Sequence, residues 1–316
     1  MESLKLSFDA IAPIFLLMLL GYVLKCLKIA DKKGFDLINK LVFKAFLPTL
    51  LFYNIYKTET ANVFDPKLVA FTAIGILFVF IVGYFTVLVL TKENPKRGVM
   101  LQGFFRTNFA ILGIPLVSYI CGEQARGLAS LMVAIIIPMF NILAVIALER
   151  FRGGSGKLHL PTLLKGMAKN PLIIGCVIGL VFFGLDIKLP YVIEKSVGDI
   201  ASIATPLAII ALGAGFEFSG IKGYAKEISI VIIARLVVIP IIILTAAVLC
   251  GFSGEALACL LITFGGPIAV SSFSMAQQMD GDEKLAAQIV VISSALCLFT
   301  LFLWIFGLNS LGLFTI

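Results

Sequence analysis

Ten apolar stretches, each long enough to cross a lipid bilayer, take up most of this chain of 316 residues. A membrane-crossing helix needs roughly 20 apolar residues. Such stretches fall near 10–27, 36–56, 67–90, 98–120 and 126–149, and again near 166–185, 198–217, 227–250, 255–278 and 285–307. Hydrocarbon offers no water to an open main chain, so stretches of this length predict helices. The expected fold class is an all-α polytopic membrane protein with ten transmembrane helices. Composition agrees: 60% of residues are hydrophobic and 14% charged, and the mean hydropathy is +1.09. A single water-facing domain could not hide that much apolar surface. The run from Ala10 to Leu27 is long enough to span and does not read as a cleavable signal peptide.

The punctuation of the chain repeats at half its length. Pro13 and Pro171 are 158 residues apart, and each is followed eight residues later by a glycine, Gly21 and Gly179. Pro48 and Pro206 are also 158 apart. Gly113-Ile114-Pro115 and Gly265-Gly266-Pro267 interrupt the fourth and ninth stretches at an offset of 152. Paired Gly/Pro interruptions in two hydrophobic halves point to the binding site of a secondary transporter. Five spans per half is an odd number, so the second half enters the membrane from the opposite side. The two five-helix halves, residues 1–150 and 166–316, therefore form an inverted repeat joined by a short linker, 151–165.

Lysine and arginine placement sets the orientation. Fifteen lie in the loops on the linker's side and six on the other, with Lys40, Lys44, Arg106 and Arg235 inside spans. The positive-inside rule makes the linker side cytoplasmic and puts both termini outside. The formal charge of +7 is thus a topology signal, and no nucleic-acid partner is expected.

Arg106 and Arg235 each lie about nine residues into a span, roughly 13 Å at helical rise. A cation at that depth costs about 2.5–3.5 kcal/mol on insertion scales, so it normally has a partner or a task. The two arginines either tie helix ends through main-chain carbonyls or supply positive potential to a site. Lys40 and Lys44 are shallower and expected to snorkel, and Lys40 is spaced to pair with Asp36. No Asp or Glu occupies the middle of a span. Cation relays normally need such a carboxylate, so the transported species reads as an anion.

The two interruptions supply the rest of an anion site. Proline lacks an N–H and glycine permits unwinding. Each interrupted span is expected to split, with Pro115 and Pro267 in the first turn of its second half. A helix N-terminus favours a carboxylate through its free N–H groups and partial positive charge. Asn108, Asn141, Ser271 and Ser272 lie near these breaks as candidate polar contacts. The candidate substrate-binding set is Asn108, Gly113, Ile114, Pro115, Asn141, Gly265, Gly266, Pro267, Ser271 and Ser272, supported by Arg106, Arg235, Pro48 and Pro206. Gly175 and Gly179 have the small-xxx-small spacing of close helix packing. The six cysteines show no metal or redox spacing, and the lone histidine, His159, lies in the linker. The glycines of the linker lack a phosphate-loop pattern. No cofactor, metal or enzymatic activity is expected.

At Asn108 through Gly113-Ile114-Pro115, Leu47-Pro48 with Leu50-Leu51-Phe52, Pro138 with Asn141, and Arg235 followed by Pro240, the chain resembles the auxin efflux carrier family over essentially its full length. That family includes plant PIN proteins and bacterial organic-acid permeases. The resemblance implies broken helices 4 and 9 crossing at mid-membrane, a scaffold domain of spans 1, 2, 6 and 7, and a transport domain of spans 3–5 and 8–10. It also implies a homodimer, and contact of Asn108 with a substrate carboxylate. The long cytoplasmic loop of many plant members is replaced here by the short linker. The expected function is alternating-access carriage of a small organic anion, a carboxylate such as malate, malonate or an auxin-like acid, across a bacterial inner membrane. A sodium- or proton-coupled symporter of another amphipathic acid and a transporter-fold receptor without net flux are the rival readings.

Overall fold

A computed structural model describes residues 2–58, 65–152, 160–217 and 220–314. Among them the chain is helical, and the only β-type pairing is one isolated bridge. The first half contains α1 (Glu2–Cys26), α2 (Lys32–Leu41), α3 (Leu47–Tyr56), α4 (Pro66–Leu90), α5 (Asn94–Phe105), α6 (Phe109–Cys121) and α7 (Arg126–Phe151). The second contains α8 (Leu160–Lys169), α9 (Pro171–Gly184), α10 (Tyr191–Gly215), α11 (Gly220–Gly223), α12 (Ala225–Ile233), α13 (Ile239–Leu249), α14 (Gly254–Gly265), α15 (Ser271–Gln278) and α16 (Glu283–Ser310). Among the described residues, five continuous helical segments are long and apolar enough to cross a membrane: Pro66–Leu90, Glu123–Phe151, Tyr191–Gly215, Ala225–Leu249 and Glu283–Ser310. Shorter apolar helices accompany them, including Ala12–Cys26, Pro171–Gly184 and Gly254–Gly265. The linker residues Gly153–His159 lie outside the described residues.

Proline shapes two of the helices by the same means. Val42–Phe46 and Ala234–Val238 are π-helical turns, and each runs directly into a proline, Leu47-Pro48 and Ile239-Pro240. A helix that meets a residue without an N–H must rearrange its ladder, and here the N–H of Leu47 reaches back to Val42 and that of Ile239 to Ala234. Pro240 cannot serve the carbonyl four residues earlier, on Leu236. That oxygen accepts from the indole Nε1 of Trp304 at 3.1 Å.

The 158-residue repeat reappears as paired helix contacts. Helix α1 lies along α10, and α9 lies along α3. A Cβ added at Gly21 would fall 2.0 Å from the carbonyl oxygen of Ile210, and one at Gly179 would fall 3.1 Å from that of Phe52. Shifting Gly21 and Ile210 by 158 in opposite directions gives that second pair, Gly179 and Phe52. Gly213 stands equally close, 2.0 Å, to the carbonyl oxygen of Met18, and Gly175 abuts the carbonyl of Pro48 at 2.4 Å. These are main-chain approaches that only glycine allows. Replacing Gly21 or Gly213 with alanine is therefore expected to destabilise the protein by about 1–3 kcal/mol, the usual range for overpacking. It should appear as a lower melting temperature in detergent, while Gly307→Ala, where nothing lies within 4 Å, should leave it unchanged.

Both interrupted stretches do break, but the first does so at a different place from the sequence expectation. Helix α5 ends at Phe105 and α6 starts at Phe109, so the break is Arg106-Thr107-Asn108, and Pro115 lies inside α6. The second break covers 266–270, and α15 begins at Ser271, four residues beyond Pro267. Neither proline opens the second half-helix. The breaks are placed by pairing with each other. Thr107 and Ile268 form an antiparallel bridge, and the Asn108 N–H donates to the Pro267 carbonyl at 2.9 Å. Thr107 Oγ1 donates to Pro267 O at 3.1 Å, and the Ile268 N–H donates to Ser293 Oγ at 3.2 Å. Unwound main chain in a dry interior must find such partners. The 158 offset that relates the other prolines carries Gly265-Gly266-Pro267 onto residues 107–109, which overlap the observed break at 106–108. The 152 offset, which follows glycine and proline alone, instead points to Gly113–Pro115 inside α6.

Candidate functional site

The paired breaks face a hollow between two groups of helices. On one side stand Leu47, Leu50 and Leu51 of α3 with Thr205 and Ala208 of α10. On the other stand Arg106, Thr107, Asn108, Ala269, Val270 and Ser271 from the breaks, with Ile137, Phe140 and Asn141 of α7. Pro48 and Pro206, two of the expected supporting residues, sit beside Leu47 and Thr205 on the first side. Among the described residues, no carboxylate lines the hollow. The N-terminal ends of α6 and α15 both open onto it, through Asn108 and through Val270-Ser271.

Arg106 is the charge in this hollow. Its side chain is only 3% exposed, and its partners are neutral. One Nη donates to Gln102 Oε1 at 3.1 Å and meets the sulfur of Met275, and the other donates to Asn141 Oδ1 at 2.8 Å and Ser271 Oγ at 2.9 Å. Asn141 is fixed in turn by donating from Nδ2 to the Ile137 carbonyl at 2.9 Å, within the stretch of α7 that contains Pro138. Four of the sequence candidates thus converge: Arg106, Asn108, Asn141 and Ser271. The side chain of Asn108, at the cap of α6, makes no hydrogen bond to any described residue, and the residue is buried at 7% exposure. Asn108 lines the hollow with no side-chain hydrogen bond among the described residues.

Arg235 does something else. It is fully buried and donates only to main-chain carbonyls: Gly266 at 3.0 Å, Thr263 at 2.7 Å, Phe104 at 3.2 Å and Phe105 at 3.3 Å. Of the two roles open to the arginines, Arg235 takes that of tying helix ends, and it does not line the hollow.

The remaining candidates scatter. Gly266 is a close-approach glycine, where a Cβ would meet Thr107 Oγ1 at 2.6 Å. Gly265 ends α14, and its carbonyl faces the thiol of Cys297. Gly113 packs on the ring of Phe109. Ile114 lines a separate, larger hollow with Tyr53, Asn54, Lys57 and Arg126. Ser272 is buried without a partner for its hydroxyl. Lys40 and Lys44 are exposed, and Asp36 accepts from Gln277 Nε2 at 2.8 Å in place of the expected pairing with Lys40. Sequence reasoning did not anticipate Gln102, Met275 or the apolar wall. Only Gln102 left a trace, as an uncharged polar residue one helical turn before Arg106.

Two further hollows flank the central one along a seam between the two groups of helices. Following residues 32–57, one hollow meets Phe35, Asp36 and Asn39, the central one meets Leu47, Leu50 and Leu51, and the third meets Tyr53, Asn54 and Lys57. Their volumes are about 130, 60 and 570 Å³. Polar bonds cross the seam at the first. Asn39 and Asp36 bond Gln277, Lys32 bonds Glu283, and Lys284 bonds Glu217, while Gln277 and Glu283 bond each other on one side. The Glu283 carboxylate holds the Lys32 ammonium above the usual lysine range. At the third hollow Lys57 and Arg126 are bound to Glu194 and Glu123, each on its own side of the seam.

A model of a family described as membrane transport protein matches this chain in two stretches, residues 6–160 and 157–305. An uncharacterized transporter of Methanocaldococcus jannaschii is 26% identical over 310 residues, covering 95% of this chain and 98% of the relative. An uncharacterized transporter of Methanothermobacter thermautotrophicus is 23% identical over 94% of this chain and 97% of its own length. A Rhizobium meliloti protein named "Putative malonate transporter" is 22% identical over 92% of each chain. With both halves matched and the broken, apolar helices in place, the chain belongs to the membrane transport protein family, that of the auxin efflux carriers.

Proposed function

We propose that this protein is a secondary carrier for a small organic anion, which it binds at the central hollow and releases to either side by alternating access. The observation that carries this reading is a buried guanidinium, Arg106, surrounded by neutral acceptors and flanked by two helix N-termini and the unpartnered Asn108 amide. A buried charge without a counter-charge is costly, and helix N-termini add positive potential. A carboxylate seated between Arg106 and Asn108 answers both.

In this reading the apolar and interrupted helices make ten spans in two inverted five-helix repeats, and the Thr107–Ile268 pairing is the crossing of broken spans 4 and 9. The matched contacts Gly21–Ile210 and Gly179–Phe52 support the repeat. Helices α1, α2–α3, α9 and α10 serve as the scaffold and the remaining spans as the moving body, with the seam between them. The hollow at Asp36 and Asn39 lies at the cytoplasmic end, on the side richer in lysine and arginine. The substrate class is a carboxylate of the size of malate or malonate, or an auxin-like acid, and the name of the Rhizobium relative favours malonate as the first to try.

Purified protein screened against small carboxylates should show a raised melting temperature with its ligand, because binding to the native state stabilises it. Uptake of that ligand into proteoliposomes then separates a carrier from a receptor, which binds without flux. Asn108→Ala should lower uptake by about tenfold, the worth of one charge-assisted hydrogen bond, and Asn108→Asp should abolish it by repelling the anion. Unchanged uptake in both variants would remove the carboxylate from this hollow.

A further inference from the structure

The carbonyls around Arg235 are those left open where the two spans break. Four residues after Thr263 stands Pro267, which has no N–H to offer, so the Thr263 oxygen has no helical partner. Four residues after Phe104 stands Asn108, whose N–H is drawn away to Pro267 O. Phe105 ends α5, and Gly266 caps α14. Four oxygens from two helix C-termini, both partially negative, therefore converge on one point. The guanidinium of Arg235 fills it, donating to all four at 2.7–3.3 Å.

Unwound carbonyls and half-helix C-termini are what a broken-helix carrier uses to hold a coupling cation. We propose that Arg235 is a tethered cation standing in for such an ion: it neutralises the carbonyl cage at the crossing permanently, and transport needs no sodium ion or proton to assemble it. This rests on the carrier reading above. A second observation supports it. Among the described residues, the buried polar side chains include two arginines and neutral groups but no Asp or Glu, so no buried carboxylate is present to take up and release a cation during the cycle. Arg235 is a positioning residue here. It holds the ends of α5 and α14 together, and through them the N-termini of α6 and α15 that face the hollow.

The test uses full-length protein in proteoliposomes, with radiolabelled malonate (or the acid found in the melting screen) as the probe and the membrane potential clamped. Wild-type initial rates should stay within twofold when an inward sodium gradient or a pH gradient is imposed. A tenfold stimulation by either gradient would overturn the proposal while leaving the carrier reading standing. No flux of any carboxylate under any gradient would instead sink the carrier reading. In Arg235→Ala the cage is empty. Its flux should fall at least tenfold and be restored by tens of millimolar methylguanidinium or sodium, a cation dependence that a purely structural arginine would not create. A variant that is folded by its melting transition and transports at the wild-type rate without added cation refutes the idea. So does a folded variant that no cation restores. If Arg235→Ala does not fold, the wild-type gradient measurement decides the matter alone.

Discussion

Replacing Arg106 with glutamine is expected to weaken carboxylate binding by about thirtyfold or more, with uptake at low substrate falling in proportion. The figure follows from truncating one partner of a buried charge pair, about 2 kcal/mol at the low end, at 1.4 kcal/mol per tenfold. The protein should still fold. Gln102, Asn141 and Ser271, which now accept from the guanidinium, can exchange hydrogen bonds with an amide of similar length, and the variant no longer buries an uncompensated charge. Its melting temperature without ligand should equal or exceed that of the wild type, and the stabilisation by ligand should vanish. Arg106→Lys should fall between the two, because an ammonium keeps the charge but loses the planar fork that holds Asn141, Ser271 and a bidentate carboxylate together. Isothermal titration with the ligand, alongside melts with and without it, checks all three statements. Wild-type affinity in Arg106→Gln would show that the hollow does not bind the anion through this charge.

The contrast between the two buried arginines marks where sequence reading stops. Both were visible as costly charges at similar depth in apolar spans, and both were assigned to support. Which one faces a ligand depends on where the helices break. The expectation followed proline and glycine, and so placed the first break at Gly113–Pro115. Pro115 is instead accommodated inside α6, because the chain gains more from pairing Thr107 with Ile268 than from opening at a proline with no partner strand. That pairing joins residues about 160 apart, and no local pattern reports it. The repeat itself was legible, since close main-chain approach requires glycine and leaves it at matched positions: Gly21 and Gly179 touch equivalent carbonyls. Asn108, Asn141 and Ser271 were also legible, because a polar amide or hydroxyl beside a break in apolar sequence is conspicuous. The apolar wall of Leu47, Leu50 and Leu51 was not, since lipid-facing, core and ligand-facing leucines look alike along a chain.

Linking Asn39 to Gln277 should stop transport. In the proposed motion the moving body slides past the scaffold, so contacts across the seam must part once per cycle. At one end of the seam these contacts are dense: Gln277 of α15 bonds Asn39 and Asp36 of α2 and also Glu283, which pairs with Lys32. Beyond them Lys284 reaches Glu217. At the other end Lys57 and Arg126 are held by acids on their own sides, and the hollow there is the larger, about 570 against 130 Å³. In the proposed cycle this is a state latched at the Asn39 end and accessible from the Tyr53 and Asn54 end. The double variant Asn39→Cys/Gln277→Cys, made after replacing the exposed Cys26 and Cys250 with serine, should lose at least nine-tenths of its flux when joined by a short bifunctional thiol reagent. Ligand binding in detergent should survive, because in the proposed state the substrate enters from the opposite end. Gln277→Ala alone should loosen the latch. It removes the two hydrogen bonds that reach α2, to Asn39 and Asp36, each worth about 0.5–1.5 kcal/mol in net terms, and so shifts the balance toward the opposite state by up to about a hundredfold. A thiol probe at Asn39→Cys would then react faster in Gln277→Ala than in its absence. Full transport by the cross-linked protein would mean that this end of the seam never opens, and that the substrate takes another route.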